Sequence, residues 1–248
     1  MSGTDIRALV FDTFGTVVDW RGGIVEACRE LGEARGINAD WDRFADAWRG
    51  KYGPFMDKVR KGTLPWTNLD ALHRMGLDEL LVEFGIDGLG EQDKMHLNLA
   101  WHRLRGWPDA VPGLTRLKRR YVIAPMSNGT FALLTNMAKY AGLPWDCILS
   151  TELAHCYKPD AEAYRLAPDL LQLAPESIVM VAAHPYDLRS AAKIGLRTAY
   201  VARPLEMIAS HADAARALAQ VAETNAELAR EFDYVVNDFL ELATLLGT

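Results

Sequence analysis

Cysteine is scarce: Cys28, Cys147 and Cys156 are the only three in 248 residues, and they form neither a CxxC pair nor a ligand cluster with the histidines. So sparse and odd a set fits a reduced cytosol. Cys156 lies near the site argued below, and a packing role fits it better than a nucleophilic one. No apolar run approaches the ~20 residues of a membrane span. There is no excess of basic charge: 27 Lys and Arg stand against 33 Asp and Glu, for a net charge of −6. With a pI of about 5.5, nothing invites nucleic acid or an anionic membrane surface. Residues 1–5, Met-Ser-Gly-Thr-Asp, carry no basic segment followed by an apolar one, so secretion is not indicated and a cytoplasmic location is expected. Internal repeats and low-complexity tracts are also missing. What remains is half hydrophobic and 24% charged, ordinary for a soluble globule with a substantial core. The length suits one large domain, or one domain with a second inserted into it.

The stretch around which the chain is organised is Ile6 to Asp19. Ile6–Phe11 is short, apolar and rich in β-formers, as expected of a strand buried on both faces. Asp12-Thr-Phe-Gly-Thr16 follows, a turn-prone patch led by a carboxylate. In α/β proteins the carboxyl ends of parallel strands carry the chemistry. Asp12 is therefore a candidate nucleophile, with Gly15 allowing a tight turn; the competing reading makes it a turn or capping residue.

From about Trp20 to Arg105 the apolar spacing is helical throughout. Ile24, Cys28 and Leu31 recur at helical intervals, and Phe44, Trp48, Tyr52 and Phe55 mark a second helix that Gly53-Pro54 is expected to break or kink. Asn68–Phe84 and Asp93–Leu104 predict two more. From Pro108 onward strands and helices alternate, with strands predicted at 121–126, 147–150, 178–183, 198–202 and 234–236. Helices are predicted between them, including Leu188–Ile194 and a long Leu205–Arg230. The implied architecture is α/β: a Rossmann-like, doubly wound parallel sheet formed by residues 1–19 and 106–248, with residues 20–105 inserted as a helical domain.

Four predicted strand tips end in polar groups: Asp12 with Thr16, Ser127 with Asn128, the loop bearing Lys158, and His184 with Asp187. Separately each has a structural reading, since Ser127-Asn128-Gly129 or Asp187 can cap a helix and Lys158 can be a solvated loop residue. Together they make an anion-handling active site.

These markers, in this order and with a helical insert after the first, resemble the haloacid dehalogenase superfamily over nearly the full chain. The resemblance implies a Rossmann-like core whose helical cap closes over a catalytic Asp12. Phosphatases of that superfamily carry a second Asp two positions after the nucleophile, where this chain has Phe14. They place acidic Mg²⁺ ligands just before the position of Asp187, where this chain has Ala182, Ala183 and His184. Two alanines and an imidazole offer no oxygen ligand to a hard cation, so no metal and no cofactor are expected, and phosphoryl transfer is disfavoured. A halide leaving group needs neither a proton nor a metal.

Further residues resemble the L-2-haloacid dehalogenases. Trp48-Arg49 matches a Trp-Arg pair whose Arg receives the departing halide, and Tyr164, six residues after Lys158, matches an active-site Tyr. The implied function is hydrolytic dehalogenation of short 2-haloacids to 2-hydroxy acids through an Asp12 ester. Lys158 would keep Asp12 ionised, Thr16, Ser127, Asn128 and Tyr164 would contact substrate, and Arg49 would take the halide. Asp187 or His184 would orient the water. One departure is clear: the L-2-haloacid branch reads Ser-x-Asn-x-x-Asp where this chain has Ala182-Ala-His184-Pro-Tyr-Asp187, a pattern closer to haloacetate-type dehalogenases, some of which accept fluoroacetate. His184 is then either the water's base or a donor to halide. The partners expected are a small 2-haloacid and its halide, with no nucleic acid or membrane, and the resemblance allows a homodimer. The alternatives are a phosphatase of the same superfamily and a non-catalytic relative that binds a small carboxylate.

Overall fold

The computed structural model describes residues 5–208 and 211–248. Six strands, β1 (Ala8–Phe11), β2 (Val122–Ser127), β3 (Leu149–Ser150), β4 (Ile178–Ala182), β5 (Arg197–Val201) and β6 (Tyr234–Val236), form one sheet. Its order is β3-β2-β1-β4-β5-β6 and every pairing is parallel. The order reverses between β1 and β4, and at such a switch point the two following loops diverge and leave a crevice. The residues that open that crevice are Asp12, after β1, and His184, after β4.

The strands read as apolar runs because both faces are covered. Leu9 and Phe11 of β1, Ile123 of β2, and Val179 and Val181 of β4 join one buried cluster. Ala8 and Val10, Ala124 and Met126, and Ile178 and Met180 join the other, as the two-residue period of a strand requires. The first cluster is closed by α5 (Ala110–Leu117), α6 (Phe131–Ala141) and α10 (Phe239–Leu245). The second is closed by α7 (Ala161–Leu171) and α8 (Pro185–Ala192), with α9 (His211–Leu228) packed at its margin.

Between β1 and α5 the described chain forms α1 (Trp20–Arg35), α2 (Trp41–Arg60), α3 (Leu69–Glu83) and α4 (Glu91–Asn98), then a 3₁₀ turn at Leu99–Arg103. Its core is aromatic: Trp20 stacks on Trp101 at 6.2 Å, and Trp48 meets Trp101 edge-on at 5.5 Å. Trp48 also donates Nε1–H to the His73 carbonyl at 2.8 Å, which fixes the rotation of α2 about its axis. Consequently Arg49, Tyr52, Met56 and Arg60, spaced at helical intervals, form the stripe that faces the sheet edge.

Several boundaries differ from expectation. The Gly53-Pro54 break does not occur: α2 runs through Pro54 to Arg60. Burial of Trp48, Phe55 and Met56 on both sides outweighs the one backbone hydrogen bond that proline removes. The helix expected at 93–104 divides into α4 and the 3₁₀ turn. The first strand begins at Ala8 rather than Ile6, and the third keeps only two of four expected residues. The predicted helix from Leu205 to Arg230 starts late, with α9 beginning at His211; residues 209–210 of that span, and residues 1–4 of the amino-terminal segment, lie outside the described residues. Instead of continuing the helix, residues 203–206 turn, with Glu206 N–H donating to the Arg203 carbonyl at 3.1 Å. Finally, α8 opens with Pro185 as its first residue and His184 as its N-cap, so Asp187 lies inside the first turn rather than capping it.

Candidate active site

The turn after β1 is gripped from several sides. Asp12 N–H donates to the Val181 carbonyl of β4 at 3.0 Å, and Val17 N–H closes on the Thr13 carbonyl at 2.9 Å. Gly15 has φ +84°, a conformation that suits glycine. Trp107 Nε1–H donates to the Gly15 carbonyl at 2.8 Å, and Arg203 Nε–H to the Thr16 carbonyl at 2.8 Å. Arg203 is itself held by both oxygens of Asp109, at 2.9 and 2.8 Å. The Asp12 carboxylate is thus aimed by backbone and not by its own rotamer alone.

Around that carboxylate runs a line of alternating charges. Thr16 Oγ1–H donates to Asp12 Oδ2 at 2.7 Å while accepting Ala183 N–H at 2.9 Å. His184 Nδ1 lies 3.0 Å from the same Oδ2, and its Nε2 lies 3.1 and 3.0 Å from the two oxygens of Glu206. On the other side Lys158 Nζ lies 3.4 Å from Asp12 Oδ1 and 2.7 Å from Asp187 Oδ2. Tyr164 donates its hydroxyl to Asp187 Oδ1.

Burial works against the Asp12 carboxylate, but Lys158, His184 and Thr16 outweigh it and hold the group well below the usual carboxylate range. Burial likewise opposes the charge on Lys158, whose pKa is nonetheless raised by the Asp187 and Asp12 carboxylates. For His184, burial would favour the neutral ring, but hydrogen bonds to Asp12 and Glu206 push it up to about 10. His184 is an imidazolium at neutral pH, with an N–H on each nitrogen. Both of those N–H groups point at carboxylates, Asp12 and Glu206, so the imidazolium neither takes a proton from water nor has an N–H free for a halide. Burial raises the Cys156 thiol to about 11, so it stays protonated as a packing residue does.

These groups open into a cavity of about 220 Å³ lined by Asp12, Asn128, Lys158, His184, Asp187 and, from α2, Arg49. Six of the nine residues picked from sequence therefore meet around one space. Thr16, Ser127 and Tyr164, expected to contact substrate, are buried and do not line it. Thr16 and Tyr164 hold the carboxylates of Asp12 and Asp187 instead, and Ser127 Oγ accepts Gly129 N–H at 3.3 Å. Asn128 borders the cavity, but its amide is already committed. It donates to the Tyr52 hydroxyl at 2.9 Å and accepts Lys158 N–H at 2.8 Å. Arg49 is different: its guanidinium lies 4.1 Å from the Tyr52 ring centroid and has no carboxylate partner among the described residues. Arg60, by contrast, is engaged by Asp57 and Asp160 and donates to the Lys158 carbonyl, tying α2 to that loop.

A protein-family model described as haloacid dehalogenase-like hydrolase matches residues 6–195. The chain belongs to the haloacid dehalogenase-like hydrolase family. It is 30% identical over 212 residues to (S)-2-haloacid dehalogenase 1 of Pseudomonas sp. (strain CBS-3), covering 80% of this chain and 85% of that one. Haloacetate dehalogenase H-2 of Moraxella sp. (strain B) is 26% identical over 209 residues, with 80% and 86% covered. The crystal structure of a defluorinating L-2-haloacid dehalogenase superposes with TM-score 0.87 at 38% identity, covering 100% of this chain and 97% of that one. Family membership accounts for the Rossmann-like core and helical insert that the sequence motifs implied.

Sequence reasoning missed several members of the site. Tyr52, Met56 and Arg60 share the helical stripe of Arg49, and that spacing was a usable signal once α2 was known to continue past Pro54. Glu206 carried no local signal. It lies 22 residues beyond His184 in a segment read as helix, and only the turn after β5 brings it back to the sheet edge.

Proposed function

We propose that this chain hydrolyses short 2-haloacids to 2-hydroxy acids through an aspartyl ester on Asp12. The observation that supports this most is a backbone-aimed carboxylate beside Lys158, in a small cavity that it shares with an arginine that has no carboxylate partner among the described residues. The cavity, about 220 Å³, is below the ~300–1,000 Å³ of sites for drug-sized ligands and suits an acid of two or three carbons. The named activities of the family relatives point the same way.

In this reading Asp12 Oδ1, whose one polar contact among the described residues is Lys158 at 3.4 Å, is the freer oxygen and attacks C2. The halide leaves from the opposite face of C2 toward Arg49, a permanent cation that stabilises the charge developing on the halogen. Attack by water at the ester carbonyl then releases the hydroxy acid with the inversion at C2 intact. Lys158 sits between Asp12 and Asp187 and balances whichever is charged. Phe14, Ala182 and Ala183 give a divalent cation no side-chain oxygen, so phosphoryl transfer lacks its usual electrostatic support. The helical insert, residues 20–105, serves as the cap that supplies Arg49. We infer a cytoplasmic location from the sparse cysteines, and a homodimer from the resemblance, which light scattering would test.

The test is halide release from chloroacetate, fluoroacetate and both enantiomers of 2-chloropropionate in EDTA, with Asp12→Asn alongside. Release by the native chain, lost in the variant and giving inverted product, is expected. EDTA-sensitive phosphate release without halide release would replace this reading with a phosphatase, and silence in both assays would favour a binding protein.

A further inference from the structure

Resting on the dehalogenase reading, we propose that Glu206 is a positioning residue: it acts through His184 to hold an imidazolium N–H on Asp12 Oδ2, where that N–H and the Thr16 hydroxyl form the oxyanion site for hydrolysis of the Asp12 ester.

The geometry distinguishes the two oxygens of Asp12. Oδ2 has two strong donors, Thr16 Oγ1 at 2.7 Å and His184 Nδ1 at 3.0 Å, whereas among the described residues Oδ1 faces only Lys158 at 3.4 Å. When Oδ1 alkylates, Oδ2 becomes the ester carbonyl oxygen. Its two donors are already within the ~2.7–3.1 Å that stabilises a tetrahedral oxyanion. Alkylation also removes the negative charge of Asp12, one of the two anions that keep His184 protonated. The other is Glu206, 3.0 Å from Nε2 and untouched by the reaction. A buried imidazolium that lost both anions would shed its proton. Glu206 preserves the charge through the ester stage.

Glu206 is built into place. Trp20, fully buried in the aromatic stack, donates Nε1–H to Glu206 Oε1 at 3.0 Å. A Cβ on Gly15 would lie 2.0 Å from that same oxygen, so the carboxylate passes through the space that glycine leaves empty. The turn that aims Asp12 thus also admits the group that charges its neighbour. Besides Asp12 and Glu206 at its nitrogens, the imidazole has Tyr186 stacked at 5.6 Å, and Lys158, Asp187 and Arg49 line the same cavity.

The chemistry balances with Asp187 as base. Oδ1 bonds to C2 as the carbon–halogen bond breaks and the halide leaves with its electron pair. Water oxygen then bonds to Asp12 Cγ, one water proton passes to Asp187, and the carbonyl π pair moves onto Oδ2. Collapse restores that carbonyl and breaks the Cγ–Oδ1 bond, and the departing alkoxide takes the proton from Asp187. The Asp12 carboxyl then releases its own proton to solvent. The negative charge of Asp12 leaves with the halide, that of Asp187 rests beside Lys158 at the ester stage, and the charge that forms on Oδ2 meets Thr16 and His184.

Rapid-quench kinetics with chloroacetate test this on the native chain, Glu206→Gln and His184→Gln, following halide and the mass of the Asp12 peptide together. In both variants steady turnover should fall about 10²-fold, well beyond any change in first-turnover halide release, and the Asp12 ester should accumulate. Glu206→Gln should also lose turnover at a lower pH than the native chain does, because its imidazole has no anion left once Asp12 is esterified. Turnover at the native rate, or halide release slowed in step with turnover and no ester, would overturn the proposal. If Glu206→Gln fails to fold, Trp20→Phe keeps an aromatic ring in the stack and beside Arg49 while removing the N–H bonded to Oε1, and should shift the same partition by a few-fold. Native chain that releases no halide would sink the dehalogenase reading, and this proposal with it, in an arm that contains no variant.

Discussion

Folding stability should fall as pH rises from about 6.5 to 10, and His184 should be the cause. In the unfolded chain a histidine titrates near 6.5. In the fold, burial disfavours the charge but Asp12 and Glu206 more than compensate, raising the value to about 10. A group whose pKa is raised on folding contributes its full stability below the unfolded value and loses it as pH climbs through the folded one. At ~1.4 kcal/mol per pH unit the contribution has a ceiling of about 5 kcal/mol below pH 6.5 and approaches zero at pH 10. Urea unfolding of the native chain and of His184→Gln, at steps of one pH unit between 6 and 10, isolates it. Other groups that titrate in this range cancel in the difference between the two proteins. That difference should be largest at pH 6 and shrink by up to ~1.4 kcal/mol per unit. A difference that stays constant across the window, or that grows with pH, would refute an imidazolium held between two carboxylates. The oxyanion role argued from it would fall too.

Lys158→Met removes the cation between two buried carboxylates, and should cost about 3–5 kcal/mol in urea unfolding while abolishing halide release. Retained stability would show that one carboxyl had taken up a proton, which a shifted acid limb of the unfolding curve would reveal. Arg203→Met breaks the buried pair with Asp109 and frees the Thr16 carbonyl, and about 3–5 kcal/mol should be lost by the same measure. Because Arg203 braces the Asp12 turn from outside the cavity, turnover of the remaining folded protein should also drop; full activity at unchanged stability would mean that the brace is dispensable.

How far each part of the molecule could be read in advance follows from how local its cause is. The apolar runs at β1, β2 and β4, and the alternation of strands and helices after Pro108, sufficed for a doubly wound parallel sheet, because burial on both faces imposes its own composition. Asp12, Lys158, His184 and Asp187 were legible because each follows or opens a strand tip, and parallel strands bring such tips to one edge whatever their separation along the chain. Continuity of α2 through Pro54 was not legible: local propensity argues against it, and only the burial of Trp48, Phe55 and Met56 decides it. The roles of Thr16 and Tyr164 changed for a similar reason. Their residue types suit substrate contact, yet their place beneath the cavity turns them toward Asp12 and Asp187. Glu206 is the extreme case. Its partners are Trp20, 186 residues earlier, and His184, across the sheet edge, and a carboxylate in a segment read as helix says nothing about either. Pattern along the chain determines which side chains reach the crevice; which proton each one holds there depends on charges that only the folded chain brings within 3 Å of one another.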